Sequence, residues 1–232
     1  MIGILGGMGT QAGLDFCNKL AKLNRGKLDQ QYPMFVLYNK SNTPKRPENL
    51  KKYYNVLKAL VDGCKMLQKN KCKFIVMPCN TAHYWHKDIQ KKIKIPLLSM
   101  PKEVYLLTKK KCKKNSTIGI LCTEATLKTN IYNDYFDKNF KLISPEKNLQ
   151  KNSVNKAIKL VKMGNVKRAA KTIQPAINYL IKNKCKKIIL GCTELPIAIF
   201  AFKSINTVKS SKIFLDPNLI LASAAMKKYK NK

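Results

Sequence analysis

Residues 70–79 read NKCKFIVMPC, and residues 183–192 read NKCKKIILGC. The two stretches align without a gap, sharing Asn, Lys, Cys, Lys, an isoleucine and the closing cysteine. A second match lies upstream of each, where residues 2–5 and 118–121 both read Ile-Gly-Ile-Leu. The offsets are 113 and 116 residues, nearly equal. Two short matches at a common spacing read as an internal duplication, so the chain is expected to hold two similar halves. Its 232 residues agree, being more than one domain of common size requires.

Apolar, largely β-branched or aromatic runs at Met1–Leu5, Met34–Tyr38, Phe74–Met77 and Ile95–Leu98 read as buried strands of a parallel sheet. Helical stretches lie between them, at about 10–24, 48–69 and 81–92, with Pro47 opening the second. The second half repeats the order: strands near 117–121, 141–143 and 187–190, helices near 124–138, 153–182 and 194–202. Gly164-Asn165 marks a break in the longest of these, and Pro175 should kink it. A last strand, Ile213–Leu215, leads through Asp216-Pro217 into a helix at about 218–229 that is expected to return to the first half. The fold class is therefore α/β, with two pseudo-twofold-related domains, each a mostly parallel sheet flanked by helices. The first domain is expected over 1–103 plus 207–232 and the second over 104–206, with ligands at the carboxyl ends of the strands in an interdomain cleft.

Composition narrows the function. The apolar fraction of 45% and charged fraction of 25% are those of a soluble globular protein. The longest apolar run, residues 195–202, falls far short of the roughly 18–20 residues needed to span a bilayer, so no membrane role is expected. The N-terminus has no basic region before its apolar start, which argues against a secretory signal and for a cytoplasmic setting with reduced thiols. The net charge of +34 raises nucleic acid as a partner. Against this, lysine supplies all but three of the basic residues, and the lysines are spread over nearly every segment without interleaved aromatics.

Three strand-to-helix turns carry the chemistry. The first is Gly6-Gly7-Met8-Gly9-Thr10, where glycines let the backbone approach an anion. It satisfies the dinucleotide spacing, but the second strand ends in Asn39-Lys40 and offers no acid for a ribose. The second turn is Pro78-Cys79-Asn80-Thr81-Ala82-His83, and the third is Gly191-Cys192-Thr193-Glu194-Leu195-Pro196. Each places a cysteine at a strand's carboxyl end before a helix, a position that exposes the sulfur and should lower its pKa. Asn80, Thr81 and Thr193 suit the roles of caps or donors. Cys72 and Cys185 start their strands and read as core residues. No Cys-x-x-Cys pair occurs, and His83 with His86 finds no third ligand, so no metal is expected. His83 reads equally as a structural histidine or as one that orients its neighbours.

Two cysteines in symmetry-related halves point to one reaction. A thiolate on one side of a substrate carbon removes a proton while a thiol on the other side supplies one, inverting the stereocentre without a cofactor. The pair would titrate as a coupled unit.

The segments GILGGMGTQAG (3–13), MPCNTAH (77–83) and LGCTELP (190–196), with DPNLILASAA (216–225), resemble the aspartate/glutamate racemase family, which uses no pyridoxal phosphate. The resemblance covers almost the whole chain. It implies Cys79 and Cys192 as the acid/base pair, an acidic amino acid as substrate with aspartate ahead of glutamate, no cofactor, and a homodimer. It places Met8, Gly9, Thr10, Asn80, Thr81, Thr193 and Glu194 on the substrate side. Ser41-Asn42-Thr43-Pro44-Lys45-Arg46 is similar to a loop whose arginine clamps the distal carboxylate, which assigns Arg46 that role. Thr123, in Leu121-Cys122-Thr123-Glu124-Ala125-Thr126, matches a substrate-binding turn, and Lys162 a lysine that reaches the distal carboxylate. Thr10, Glu124 and Ala125 depart from the family's usual residues and bear on substrate size and charge. The competing reading is a basic protein that binds acidic metabolites or nucleic acid on a repurposed racemase scaffold; both cysteines being present favours the enzyme.

Overall fold

The computed structural model describes residues 1–24, 28–46, 54–201 and 212–231. In chain order the first unit holds β1 (Ile2–Gly6), α1 (Thr10–Leu23), β2 (Phe35–Asn39), α2 (Tyr54–Lys69), β3 (Phe74–Val76) and α3 (His86–Gln90). Helix α4 (Met100–Lys111) carries the chain onward. The second unit holds β4 (Thr117–Leu121), α5 (Glu124–Lys128), α6 (Asn133–Phe136), β5 (Lys141–Ile143), α7 (Lys147–Leu149), α8 (Lys156–Lys162), α9 (Val166–Lys182), β6 (Lys187–Leu190), α10 (Leu195–Ala201) and β7 (Phe214–Leu215). Helix α11 (Pro217–Lys230) closes the chain. The compact units are Met1–Glu103 with Asn218–Lys232, and Val104–Pro217.

Both sheets are parallel and share one strand order. The first runs β2-β1-β3, the second β5-β4-β6-β7. The place β7 takes beside β6 is taken beside β3 by residues 95–98, expected as a strand but joined only through the bridge Ile75–Leu97. The Ile75 amide donates to the Pro96 carbonyl (2.8 Å) and the Leu98 amide to the Ile75 carbonyl (2.9 Å). Pro96 has no N–H with which to extend the ladder.

Side chains along β1 and β3 alternate between two cores, as period two dictates. Ile2, Ile4, Phe74 and Val76 pack with Phe16 and Leu20 of α1, Met100, and Leu221 and Ala225 of α11. Leu5 and Ile75 pack with Leu60 and Leu67 of α2, Trp85, and Ile89 of α3. In the second unit Leu121, Ile188 and Leu190 meet Ala157 and Val161 of α8, Ile173 and Leu180 of α9, and Leu195 and Ile199 of α10. Each fully buried side chain of this size contributes roughly 1.5–3 kcal/mol of burial.

The duplicated motifs prove to be one packing device used twice. Lys71 and Lys184 adopt positive φ (60° and 57°), ending α2 and α9 with a left-handed turn. The following Cys72 and Cys185 amides each donate to a leucine carbonyl, of Leu67 and Leu180, at 3.2 Å. A Cβ on Gly3 would stand 3.2 Å from both Cβ and Sγ of Cys72, and one on Gly119 would stand 3.2 Å from Cys185 Sγ. The glycine of each Ile-Gly-Ile-Leu thus receives the first cysteine of its NKCK partner, and both cysteines are core residues.

Several expected boundaries move. The segment 81–92 starts as a 3-10 turn, Thr81–Trp85, before α3. The segment 124–138 splits into α5 and α6, with Asn130 at φ 52° between them. The segment from 147 to 162 includes a π-helical turn, Gln150–Asn155, leading into α8. The break at Gly164 (φ 80°) stands, while Pro175 lies inside α9 without ending it. Residues 47–53, where the second helix was expected to start, and the 206/207 boundary lie outside the described residues. The final strand pairs with β6 in the second sheet, so the return to the first unit begins at Asn218 and not at 207. Helix α4 was not expected. Its buried Met100, Val104 and Thr108 form only a single narrow row amid lysines.

Candidate functional site

Three features position the first turn. Gly7 has φ 89°, and a Cβ there would stand 2.3 Å from the Lys40 carbonyl carbon, so the loop lies directly on the backbone that follows β2. Gly9 caps α1 in extended conformation and leaves the N-terminal amides without a side-chain cap. Thr10 Oγ1 accepts from Asn39 Nδ2 at 3.2 Å. Met8 is buried, and its carbonyl accepts a short hydrogen bond from Arg46 Nη2. Arg46 Nη1 reaches the Pro44 carbonyl at 3.5 Å. The arginine therefore stands beside the Met8 loop, held by main-chain oxygens.

Cys79 is 5% exposed, with Asn80 and Thr81 buried beside it. Its amide donates to the Met77 carbonyl at 2.8 Å, and its carbonyl accepts from His83 Nδ1–H at 2.8 Å. His83 is buried. Burial pushes its pKa down from 6.5 to about 4, the Cys79 carbonyl opposing, so the ring is neutral with its proton on Nδ1. His86 Nε2–H donates to the Leu97 carbonyl at 2.8 Å, and the two rings stack at 6.0 Å. Asn80 stands at the head of the 3-10 turn without the side-chain cap expected of it; the turn closes from the His83 amide to the Asn80 carbonyl at 2.9 Å.

His83 has a consequence for stability. The unfolded chain protonates near 6.5 and the folded one near 4, so stability falls as pH drops across that window, by about 3 kcal/mol as an order of magnitude. Urea midpoints at pH 7.5 and 4.5 should differ less in His83→Asn, which keeps a donor for the Cys79 carbonyl but does not titrate.

Cys192 is 8% exposed, and its Sγ–H donates to Glu194 Oε2 at 2.9 Å. Thr193 Oγ1 reaches the same oxygen at 3.4 Å, and Lys162 Nζ lies 3.7 Å from Glu194 Oε1. Burial, and then the Glu194 carboxylate, push the Cys192 thiol well above its ordinary range, with Lys162 working against them. This corrects the expectation that a strand-to-helix position lowers the pKa of this cysteine: loss of water and a carboxylate at contact outweigh the backbone amide. Lys162 is half-exposed and stands beside the same carboxylate.

Thr123 caps α5, its Oγ1 accepting from the Thr126 amide at 3.2 Å. Two residues that were not singled out from the sequence hold this turn. Gln150 Nε2 donates to the Cys122 carbonyl (2.8 Å) and to Asn155 Oδ1 (2.9 Å), and Asn155 Nδ2 donates to Glu124 Oε1 (2.7 Å). A π-turn aligns residues five apart, a register that no α-periodic reading would pair. The turns after β4 and β6 adjoin, since Leu121 pairs with Leu190 and a Cβ on Gly191 would stand 2.9 Å from Cys122 Cβ.

The fold is that of the two-domain amino-acid racemases. The chain superposes with a TM-score of 0.83 on an aspartate racemase from Picrophilus torridus, at 32% identity over 99% of this chain and 94% of that one. A glutamate racemase from Thermus thermophilus, 18% identical, shares the fold with a TM-score of 0.71 over 99% of this chain and 80% of that one. Over 233 aligned residues the chain is 27% identical to a broad specificity amino-acid racemase, RacX, of Bacillus subtilis, covering 99% of this chain and 98% of the relative. The profile of the Asp/Glu/Hydantoin racemase family matches residues 5–225. The chain belongs to that family. No described helix is long and apolar enough to cross a membrane.

Proposed function

We propose that the protein racemises an amino acid without pyridoxal phosphate, that Cys79 and Cys192 are its two acid/base residues, and that aspartate is the preferred substrate with glutamate next. The observation that carries the reading is the Cys192 Sγ–H bond to the buried Glu194 carboxylate. A carboxylate in contact disfavours the thiolate, so Cys192 rests as the protonated acid and Cys79 serves as base. The Cys79 thiolate takes the α-proton, and Cys192 delivers its proton to the opposite face of the flattened carbon. The carbanion's charge spreads into the α-carboxylate, which backbone donors of the strand-to-helix turns stabilise. Reprotonation of Cys192 from solvent and release of the proton on Cys79 restore the resting state; in the reverse direction the roles exchange. Met8, Gly9, Thr10, Asn80, Thr81, Thr123 and Thr193 surround the substrate in this reading. The Arg46 guanidinium, beside Met8, binds the distal carboxylate, with Lys162 at hand near Glu194. A homodimer, by analogy with the family, completes the proposal.

The test is exchange of the α-hydrogen of L- and D-aspartate in deuterium oxide with no added cofactor. Both enantiomers should exchange and interconvert, and failure of aspartate, glutamate, asparagine and alanine alike would overturn the reading. Glu194→Gln gives a second check. An acid fails as pH rises through its pKa, and removing the carboxylate lowers the pKa of Cys192. The alkaline limb of kcat should therefore move to lower pH than in the wild type; an unmoved limb would count against Cys192 as the donor.

A further inference from the structure

An amino acid brings an ammonium group as well as carboxylates, and the turns named so far provide little to receive it. The segments after β1, β2 and β3, residues 6–10, 40–46 and 78–83, contain no acid. Carboxylates follow all four strands of the second sheet: Glu124 after β4, Glu146 after β5, Glu194 after β6 and Asp216 after β7. Glu146 is exposed beyond an edge strand, and Asp216 is buried beyond the other edge. Only Glu124 and Glu194 follow the two inner strands, where the turns adjoin. Both oxygens of Glu194 are occupied, Oε2 by Cys192 and Thr193, Oε1 by Lys162.

Glu124 is different. It is half-buried, and among the described residues Asn155 Nδ2 is its hydrogen-bond partner, on Oε1. Among the described residues no lysine or arginine lies within ion-pair distance of it, in a chain of net charge +34. A neutral amide fixes the direction of the carboxylate without cancelling its charge. The amide is fixed in turn: Asn155 Oδ1 accepts from Gln150, which is 4% exposed and also holds the carbonyl of Cys122. Two side chains on one π-turn thus hold a single carboxylate with one oxygen left over, one strand away from Cys192.

We infer that Glu124 is the acceptor for the substrate's α-ammonium, through Oε2, and that Asn155 and Gln150 are positioning residues that aim it. The inference rests on the racemase reading and adds the group that distinguishes an amino acid from the corresponding ammonium-free acid. A charge pair of this kind contributes to binding in the ground state and the transition state alike, so its loss appears in KM more than in kcat.

The test compares L-aspartate with succinate, a dicarboxylate of the same length without the ammonium, on the wild type, Glu124→Gln, Glu124→Asp and Asn155→Ala. Glu124→Gln should raise KM for aspartate at least tenfold with kcat changed less than threefold, and leave the inhibition constant of succinate within twofold. Glu124→Asp should recover part of the loss, and Asn155→Ala should fall between the wild type and Glu124→Gln. Equal weakening of aspartate and succinate, which a merely structural role would produce, overturns the inference, as does an aspartate KM that stays within twofold. Calorimetric binding of the two ligands to the same variants gives the same comparison without turnover. A wild type that binds aspartate but never exchanges its α-hydrogen would sink the racemase reading and leave the ammonium site standing or falling on the binding ratios alone.

Discussion

Cys192→Ala is expected to lower the rate of aspartate racemisation by about 10³-fold or more, toward the upper end of what a positioned general acid or base contributes. Cys79→Ala should do the same. The two losses should not add in the double variant, because inversion requires both sulfurs in every turnover. The singles should still differ in kind. With Cys192 gone, the Cys79 base remains, and slow deuterium exchange into the enantiomer whose α-proton faces it should persist without inversion. With Cys79 gone, Cys192 lies under a contacting carboxylate and in a buried setting that both favour the thiol, so exchange through it should be slower still. Chiral chromatography for inversion and mass spectrometry for deuterium separate these outcomes. Full racemisation by either single variant would exclude the two-base reading. Substituting alanine for the core thiols Cys72 or Cys185 is the matched control, and should leave the racemisation rate close to that of the wild type.

Gly7→Ala is the second large effect, and it acts through the backbone. The added Cβ would stand 2.3 Å from the Lys40 carbonyl carbon, 2.5 Å from its oxygen and 2.6 Å from the Ser41 nitrogen, all main-chain atoms that move only together. Its φ of 89° adds strain for any residue with a side chain. Left-handed strain of about 1–2 kcal/mol and overpacking of about 1–3 kcal/mol give a loss near 3–4 kcal/mol, or roughly 10 °C in Tm for a chain of this size. Relief requires the Gly6–Thr10 loop to lift from the end of β2, which would displace the Met8 carbonyl from Arg46 and weaken substrate binding as well. Gly164→Ala separates the two causes. Its φ is 80°, but a Cβ there meets nothing within 4 Å, so only the strain of about 1–2 kcal/mol should remain. Thermal denaturation of the two variants side by side checks this, and equal losses would show that the contact with Lys40 and Ser41 yields without cost.

Much of the molecule was legible before its coordinates. The repeats at 2–5 with 70–79 and at 118–121 with 183–192 announced two halves, and in both sheets the strand carrying Ile-Gly-Ile-Leu lies between the next strand in sequence and the strand carrying the NKCK repeat. Seven of the eight expected strands are present within a residue or two, because a buried parallel strand is a continuous apolar run that little else imitates. The eighth stops at one bridge because Pro96 removes a donor. Helix interiors were less legible. The break at Asn130, the π-turn at 150–155 and the narrow buried row of α4 depend on packing partners distant in the chain.

The placing of Cys79 and Cys192 at the carboxyl ends of their strands, β3 and β6, follows from the chain alone, since local strand-to-helix order dictates which end of a parallel sheet a turn occupies. Their protonation does not. That Cys192 is a buried thiol bonded to Glu194 is decided by burial and rotamers within one turn, while the approach of Lys162 to the same carboxylate and the hold of Asn155 and Gln150 on the turn of Glu124 are matters of side chains meeting across separate elements. A pKa is set by desolvation and by charges at contact distance, and neither quantity exists until the chain has folded.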